Sequence, residues 1–438
     1  MPEVRMEIAL DVAQRHMHVI QHVLLANGSR DRWQEIVFAV QPAHVPGVFE
    51  LTEARVTTRR HRGEATTTLD GIMLHVGLPA PLSPGEPVSL TLSYAMHVPA
   101  IEPTTWLPEG NLGAGDRVYQ AGDWHPTLVP YRDGEGWAQW TYHRVGDPTC
   151  YPIANYDVRI TAPAGVVIAA PGRASQEGTK RRYQLDRARC FAFLASPDYV
   201  RIDDSVDGIP LQAYYLPESA ESARALLEVT TQAIRLYSRL YGPYPTDGLV
   251  IAQNAYRGSM EYTGLISMSD QAYASHDGSP RSQLVSLTAH EVAHQWWYGA
   301  VGNDQVHEPW LDESLAKYSE LLFYERYHPE PTDWWWDTQI HRFEPEGALD
   351  RAIYDFDDTL TYIRQLYGLG ALFMQDLREL MGDEAFFEFL RDYRRSGEGR
   401  LVNGNVFFTT LDAHVTGDAS PIITRYFNTH PGDLETHP

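Results

Sequence analysis

Two histidines and a glutamate fall within five positions in the stretch LTAHEVAHQWWYG, which begins at Leu287. The segment from Gln283 to Trp297 contains neither glycine nor proline, and Leu284, Leu287 and two alanines favour a helix. On such a helix His290 and His294, four residues apart, project from one face and can bind a single ion. Glu291 lies about 100 degrees round the axis from His290, beside the ion rather than on it. That is where a base for an activated water belongs. The five-residue pattern arises by chance often enough that further parts of a site are required.

Catalytic zinc usually takes three protein ligands and keeps one position open. The segment EPWLDESLAKYSELLFYERYH begins another apolar-periodic helix and supplies Glu313, separated from His294 by eighteen residues. A second helix packed against the first would bring that carboxylate to the ion. Glu320, seven residues further along, falls on the same face and is placed to accept a hydrogen bond from a ligand histidine.

These helices need a scaffold, and the periodicity of the chain divides it in two. Up to about residue 203 the dominant period is two: Val88, Leu90, Leu92, Tyr94 and Met96 share one face, as do Ile8, Leu10 and Val12. Turn signals such as NGS, PLSPGEP and APAG separate these runs. After DDSVDG and a short strand at PLQAYYL the period becomes helical, with Leu226, Leu227, Thr230, Ile234, Tyr237 and Tyr241 on one stripe that stops at Gly242 and Pro243. A strand-like GLVIAQNAY follows, and helical patterns dominate from Ser282 onward. The chain of 438 residues is therefore expected to be a multidomain α+β protein, an antiparallel β domain over 1–205 and an α-rich domain with a small sheet over 206–438.

A net charge of −23 argues against a nucleic-acid binder, whose affinity rests on a basic surface. Glu3, Glu7 and Asp11 interrupt the place where an export signal would need a basic start and an apolar run. No stretch approaches the roughly 18 uncharged apolar residues needed to cross a bilayer. A cytoplasmic address is expected, although a mature form with its signal removed would read the same. Cys150 and Cys190 lack the close spacing of a redox or zinc motif and read as buried thiols, with a disulfide left open. In QWWY and DWWWD the tryptophans read as core anchors rather than pocket walls.

The combination HEVAH, eighteen residues, then WLDES resembles the gluzincin metallopeptidases of the aminopeptidase N family, whose second element reads WLNEG. Trp310, Leu311 and Glu313 match; Asp312 stands for Asn and Ser314 for Gly. A second family motif, GAMEN, is matched by GSMEY, with Gly258, Met260 and Glu261 kept, Ser259 within it and Tyr262 in place of Asn. The resemblance implies a saddle-like β domain followed by a thermolysin-like catalytic domain, with one zinc ion per chain on His290, His294 and Glu313 and with Glu291 as base. It also implies that the segment Gly258–Ser259–Met260 lines the cleft while Glu261 holds the substrate's free α-amine, a task for a carboxylate at a fixed distance from the metal. Tyr367, in YGLGALF, aligns with the family's oxyanion tyrosine, with Tyr362 as the alternative; Gln120, in VYQAGDWHP, aligns with a residue that also touches the amine. Longer members add modules after the catalytic domain, so a chain ending at Pro438 is expected to have a more open cleft.

The activity implied is removal of N-terminal residues from peptides by attack of a metal-activated water. A thermolysin-like endopeptidase shares the helix, base and ligands but needs no carboxylate for a terminal amine, and a catalytically silent scaffold is the reading from another class. Glu261 separates the first two, and a complete set of ligands and base argues against the third.

Overall fold

The computed structural model describes residues 1–429 apart from 103, 106, 107 and 331; the last nine positions assigned to the second domain lie outside the described residues. Strands β1 (Glu3–Asp11) and β2 (His16–Ala26) form a hairpin in which every second side chain is buried, so Val4, Met6, Ile8 and Leu10 reach the core while the intervening residues meet solvent. Val12 falls in the turn just past β1. β3 (Pro87–His97) pairs along the other edge of β2 and buries the five side chains expected of it. These belong to an eight-stranded sheet. One pairing within it departs from the antiparallel expectation: β4 (Ala154–Thr161) runs parallel to β1, from Glu3 opposite Asn155 to Ala9 opposite Thr161. A chain that returns after a long excursion is free to enter a sheet in either direction, whereas a tight hairpin is not. Among the described residues, two four-stranded sheets and a two-stranded ribbon complete this half.

The second sheet system begins where the first half ends. β5 (Val200–Val206), which crosses residue 205, pairs antiparallel with β6 (Ile209–Tyr215). β7 (Leu249–Gln253) and β8 (Leu265–Met268) then add in parallel. Between β6 and β7 lies α1 (Ala220–Tyr241), stopped by Gly242 at φ 106°, a left-handed value that glycine adopts without strain.

α2 (Gln283–Ala293) and α3 (Trp310–Tyr327) are clasped by α1: the Tyr237 hydroxyl lies 3.0 Å from the Ala289 carbonyl and 2.9 Å from that of Ser319. The α2 helix is shorter than expected. It ends at Ala293 with His294 as its cap, because the chain then turns so that Trp296 and Trp297 both enter the core and Trp297 bridges Val301. Both α2 and α3 are buried nearly all round, so the amphipathic stripe that marks a surface helix is absent from them. α4 (Gly370–Met381) and α5 (Asp383–Gly397) pack beyond.

The two halves are fastened at Arg189, whose buried guanidinium donates to the carbonyls of Tyr151 at 2.8 Å, Arg400 at 3.0 Å and Tyr298. Cys150 and Cys190 are both buried free thiols. No helix among the described residues is long and apolar enough to cross a membrane.

Candidate active site

α2 and α3 bring His290, His294 and Glu313 together. The Nε2 atoms of His290 and His294 stand 3.1 Å apart, and Glu313 Oε2 is 3.3 Å from the first and 3.6 Å from the second. His294 is oriented by its other nitrogen, Nδ1, at 2.9 Å from the Trp297 carbonyl. This contact depends on the early end of α2, which turns Trp297 back toward the helix cap.

His290 presents Nδ1 to Glu320 Oε2 at 4.0 Å, along the face expected for that carboxylate. Glu320 is itself held by the Lys317 ammonium at 2.8 Å and the Trp335 indole N–H at 2.6 Å. Lys317 was legible in principle, standing three residues before Glu320 on the same helix. Trp335 was not: the run of three tryptophans reads as core, and Trp335 is indeed fully buried. Only the fold reveals that its N–H also points to Glu320.

Glu291 is buried, and its Oε2 accepts no hydrogen bond. Burial, and then the charge of Glu261, holds its carboxyl well above the usual range. Glu313 behaves in the opposite way. Burial alone would raise it, but the His290 and His294 imidazoles beside it outweigh that and hold its carboxyl far below the ordinary value. Burial works to lower the His294 imidazole, and the carboxylates of Glu261, Glu313 and Asp312 overcome it.

The segment at Gly258 pairs with the sheet edge as expected: the Met260 and Ser267 backbones exchange two hydrogen bonds of 2.9 Å. Gly258 takes φ 110°, and Ser259 accepts from the Ser269 amide at 3.2 Å. This pairing aims Glu261 inward, where it offers an atom within 4.8 Å of one on His294 and one on Asp312. Gln305 joins these two carboxylates, with Nε2 at 2.7 Å from Asp312 Oδ2 and 3.3 Å from Glu261 Oε1. Asn303 donates to the other Asp312 oxygen at 2.9 Å. Neither amide carried a local sequence signal.

Three departures from the family motifs have partners elsewhere in the fold. A Cβ at Gly122 would overlap the Tyr262 hydroxyl, and a Cβ at Gly370 would overlap Ser314, so each larger residue sits against a glycine. Asp312 sits between two amide donors, a setting made for an acceptor.

Tyr367 stands on a π-helical turn over Ile363–Leu369, a wider winding that re-aims side chains and is frequent at functional sites. Its hydroxyl donates to Glu313 Oε1 at 2.6 Å, and its ring stacks on His290 with centroids 5.4 Å apart. The Tyr362 ring lies 6.0 Å from that of Tyr367 and is buried. Gln120 lies on a short strand, where its Nε2 donates to the Gly110 carbonyl and its buried Oε1 accepts nothing. Asp147, also buried, faces the charges of Glu261 and Glu313 and was not singled out by its sequence context.

The donor set fits a divalent cation. His290, His294 and Glu313 present ligand atoms all within 4.8 Å of one another, and Glu313 Oε2 is buried without a hydrogen-bond partner. Two imidazoles and a carboxylate are also the chemistry of a catalytic zinc site with an open position.

A two-domain scaffold with this histidine, histidine and glutamate group has the arrangement of a gluzincin-type metal site. A model of the peptidase family M1 domain matches residues 225–426. Over these residues, which carry the ligand group, the chain is similar to that family, and the donor set is one that fits zinc.

The probable aminopeptidase 2 of Sulfurisphaera tokodaii is 25% identical over 256 residues, covering 52% of this chain and 31% of that protein. Human endoplasmic reticulum aminopeptidase 2 is 23% identical over 219 residues, 47% of this chain and 23% of its own length. The chain thus spans about a third or less of these relatives. An M1 zinc metallopeptidase from Deinococcus radiodurans has the same fold over 99% of this chain and 95% of its own, with a TM-score of 0.69 and 20% identity. A mutant of that enzyme bound to a Tyr-Ser-Ala substrate superposes with a TM-score of 0.67 at 21% identity, over 99% and 95%.

Proposed function

We propose that the protein is a zinc aminopeptidase that removes residues from the free N-termini of peptides. The observation that carries this reading is Glu261, a buried carboxylate fixed at the sheet edge beside His294 and so at a set distance from the ligand group. A carboxylate held there is placed to recognise a charged terminus. The aminopeptidase names of the curated relatives and the tripeptide bound by the Deinococcus radiodurans enzyme support the substrate class.

His290, His294 and Glu313 would hold the zinc ion, which when bound supplies Lewis acidity and lowers the pKa of its water. Glu291, with a free and buried Oε2, takes the proton of the attacking water and passes it to the leaving amine. Glu261 accepts from the substrate's α-ammonium, and the backbone of Gly258, Ser259 and Met260 sets the peptide's direction along the sheet edge. The unpartnered Oε1 of Gln120 supplies a second acceptor for that ammonium. Tyr367, whose hydroxyl donates to Glu313 in the resting site, releases that contact to donate to the oxyanion that develops in the transition state. Glu320 orients His290. We place the protein in the cytoplasm, since two buried cysteines that remain free suit a reducing compartment.

The test is hydrolysis of leucyl and N-acetyl-leucyl chromogenic amides, each with and without a zinc chelator. Chelator-sensitive cleavage of the free amine alone is expected. Equal cleavage of the blocked substrate would reassign the protein as an endopeptidase. Loss of discrimination in Glu261→Ala is the accompanying check on the role of that carboxylate.

A further inference from the structure

Gln305 lies in the turn that leads into α3, and it is tied to the first half of the chain at two points. Its backbone N–H donates to the Thr149 carbonyl at 3.1 Å, and its side-chain Oε1 accepts from the Thr149 hydroxyl. Both residues are buried. Each end of the tether is itself pinned: the Gln41 amide donates to the carbonyl of Pro148, and Asp304 accepts from the backbone N–H groups of Val306 and His307 at 3.1 and 3.2 Å.

This tether decides which way the Gln305 amide faces. A carboxamide presents an acceptor at one end and two N–H donors at the other. With Oε1 turned to the Thr149 hydroxyl, the donors point to the carboxylates and divide between Asp312 Oδ2 at 2.7 Å and Glu261 Oε1 at 3.3 Å.

Glu261 needs such a hold. It is buried and offers an oxygen within 4.8 Å of a His294 nitrogen, so an unrestrained side chain is free to turn toward that imidazole and away from a substrate. Gln305 restrains it without neutralising it. A lysine or arginine in the same place would pair with the carboxylate and cancel the charge that an incoming ammonium needs, whereas a neutral amide supplies direction alone. The contact uses Oε1 and leaves Oε2 for the ammonium.

We propose that Gln305 is a positioning residue for the substrate's α-amine: it holds Glu261 at the distance from the ligand group that recognition of the amine requires, and Thr149 sets its direction. The first half of the chain thereby takes part in the site through Thr149. The proposal rests on the aminopeptidase reading, and its test separates the two.

Leucine hydroxamate and its desamino analogue, isocaproyl hydroxamate, share a zinc-binding group and a side chain and differ only in the α-amine. Each is titrated calorimetrically against the zinc-loaded wild type, Gln305→Leu and Thr149→Val. The wild type is expected to bind leucine hydroxamate at least about 10-fold more tightly than the analogue. In Q305L that preference should fall toward parity through about 10-fold or more weaker binding of leucine hydroxamate alone, since a small misplacement of a positioning group is costly and the zinc ligands are untouched. T149V should move the preference in the same direction by a smaller factor. A preference retained in Q305L, or an equal weakening of both inhibitors, overturns the proposal and leaves the aminopeptidase reading standing. Equal binding of the two by the wild type means that the amine is not recognised, and both readings fail. If Q305L does not fold, T149V decides: a reduced preference supports the proposal, and an unchanged one overturns it.

Discussion

The Tyr367 hydroxyl donates to Glu313 Oε1 at 2.6 Å, while the other oxygen of that carboxylate faces His290 and His294. One carboxylate therefore contacts both the ligand histidines and Tyr367, the proposed oxyanion donor. Tyr367→Phe removes a donor that acts on charge formed only in the transition state, so kcat should fall about 100- to 1000-fold. KM and zinc stoichiometry should change little. Steady-state kinetics with metal analysis checks this, and a loss confined to KM would return the role to Tyr362.

Glu320 receives the Trp335 indole N–H at 2.6 Å and the Lys317 ammonium at 2.8 Å while facing His290. Substitution Trp335→Phe keeps most of the buried ring and deletes the donor. Zinc affinity, measured by competition with a chromophoric chelator, should weaken about 10-fold or more, the range found when groups that orient a metal ligand are lost. Lys317→Met should act in the same direction.

Asp312 accepts from Asn303 and Gln305, both amide donors. The reversion toward the family motif, Asp312→Asn, would turn an N–H₂ group toward one of them. A buried donor facing a donor should cost about 1–3 kcal/mol. Denaturant unfolding should show that loss, and a stability equal to wild type would mean that the network rearranges.

On the outer sheet, Arg182 makes a two-pronged contact with Asp157, Nε at 2.8 Å and Nη2 at 2.9 Å. Hydrogen bonds from Arg182, against a smaller opposing effect of burial, hold the Asp157 carboxyl below its ordinary value. Its contribution is present above the unfolded pKa of about 3.9 and is lost as pH falls through the lower folded value. The pair is partly exposed, so Asp157→Asn should cost no more than about 1 kcal/mol at neutral pH. That difference should vanish on acidification through this window, as read from urea midpoints at several pH values.

Much of the site was legible because its geometry is local. His290 and His294 share a face by helical spacing, Glu291 follows by rotation, and Glu313 opens the next gap-free helical segment. The period-two runs of β1 and β3 gave the buried faces of the first half for the same reason. The end of α2 was not legible, since the stretch through Trp297 has good helix formers and only the demand to bury two indoles breaks it. Nor was the parallel entry of β4 beside β1, a pairing across some 150 positions that no local pattern encodes.

The sequence by itself determined the donor types and the two helices that present them, because side-chain chemistry and helical periodicity act over a few residues. The tertiary structure alone decided how these groups are held: Trp335 on Glu320, Gln305 on Glu261, and Tyr367 on Glu313. Those contacts join residues 15 to 54 positions apart, and burial is what makes them count. A carboxylate or amide withdrawn from water needs a partner, and which partner it finds depends on how the whole chain packs.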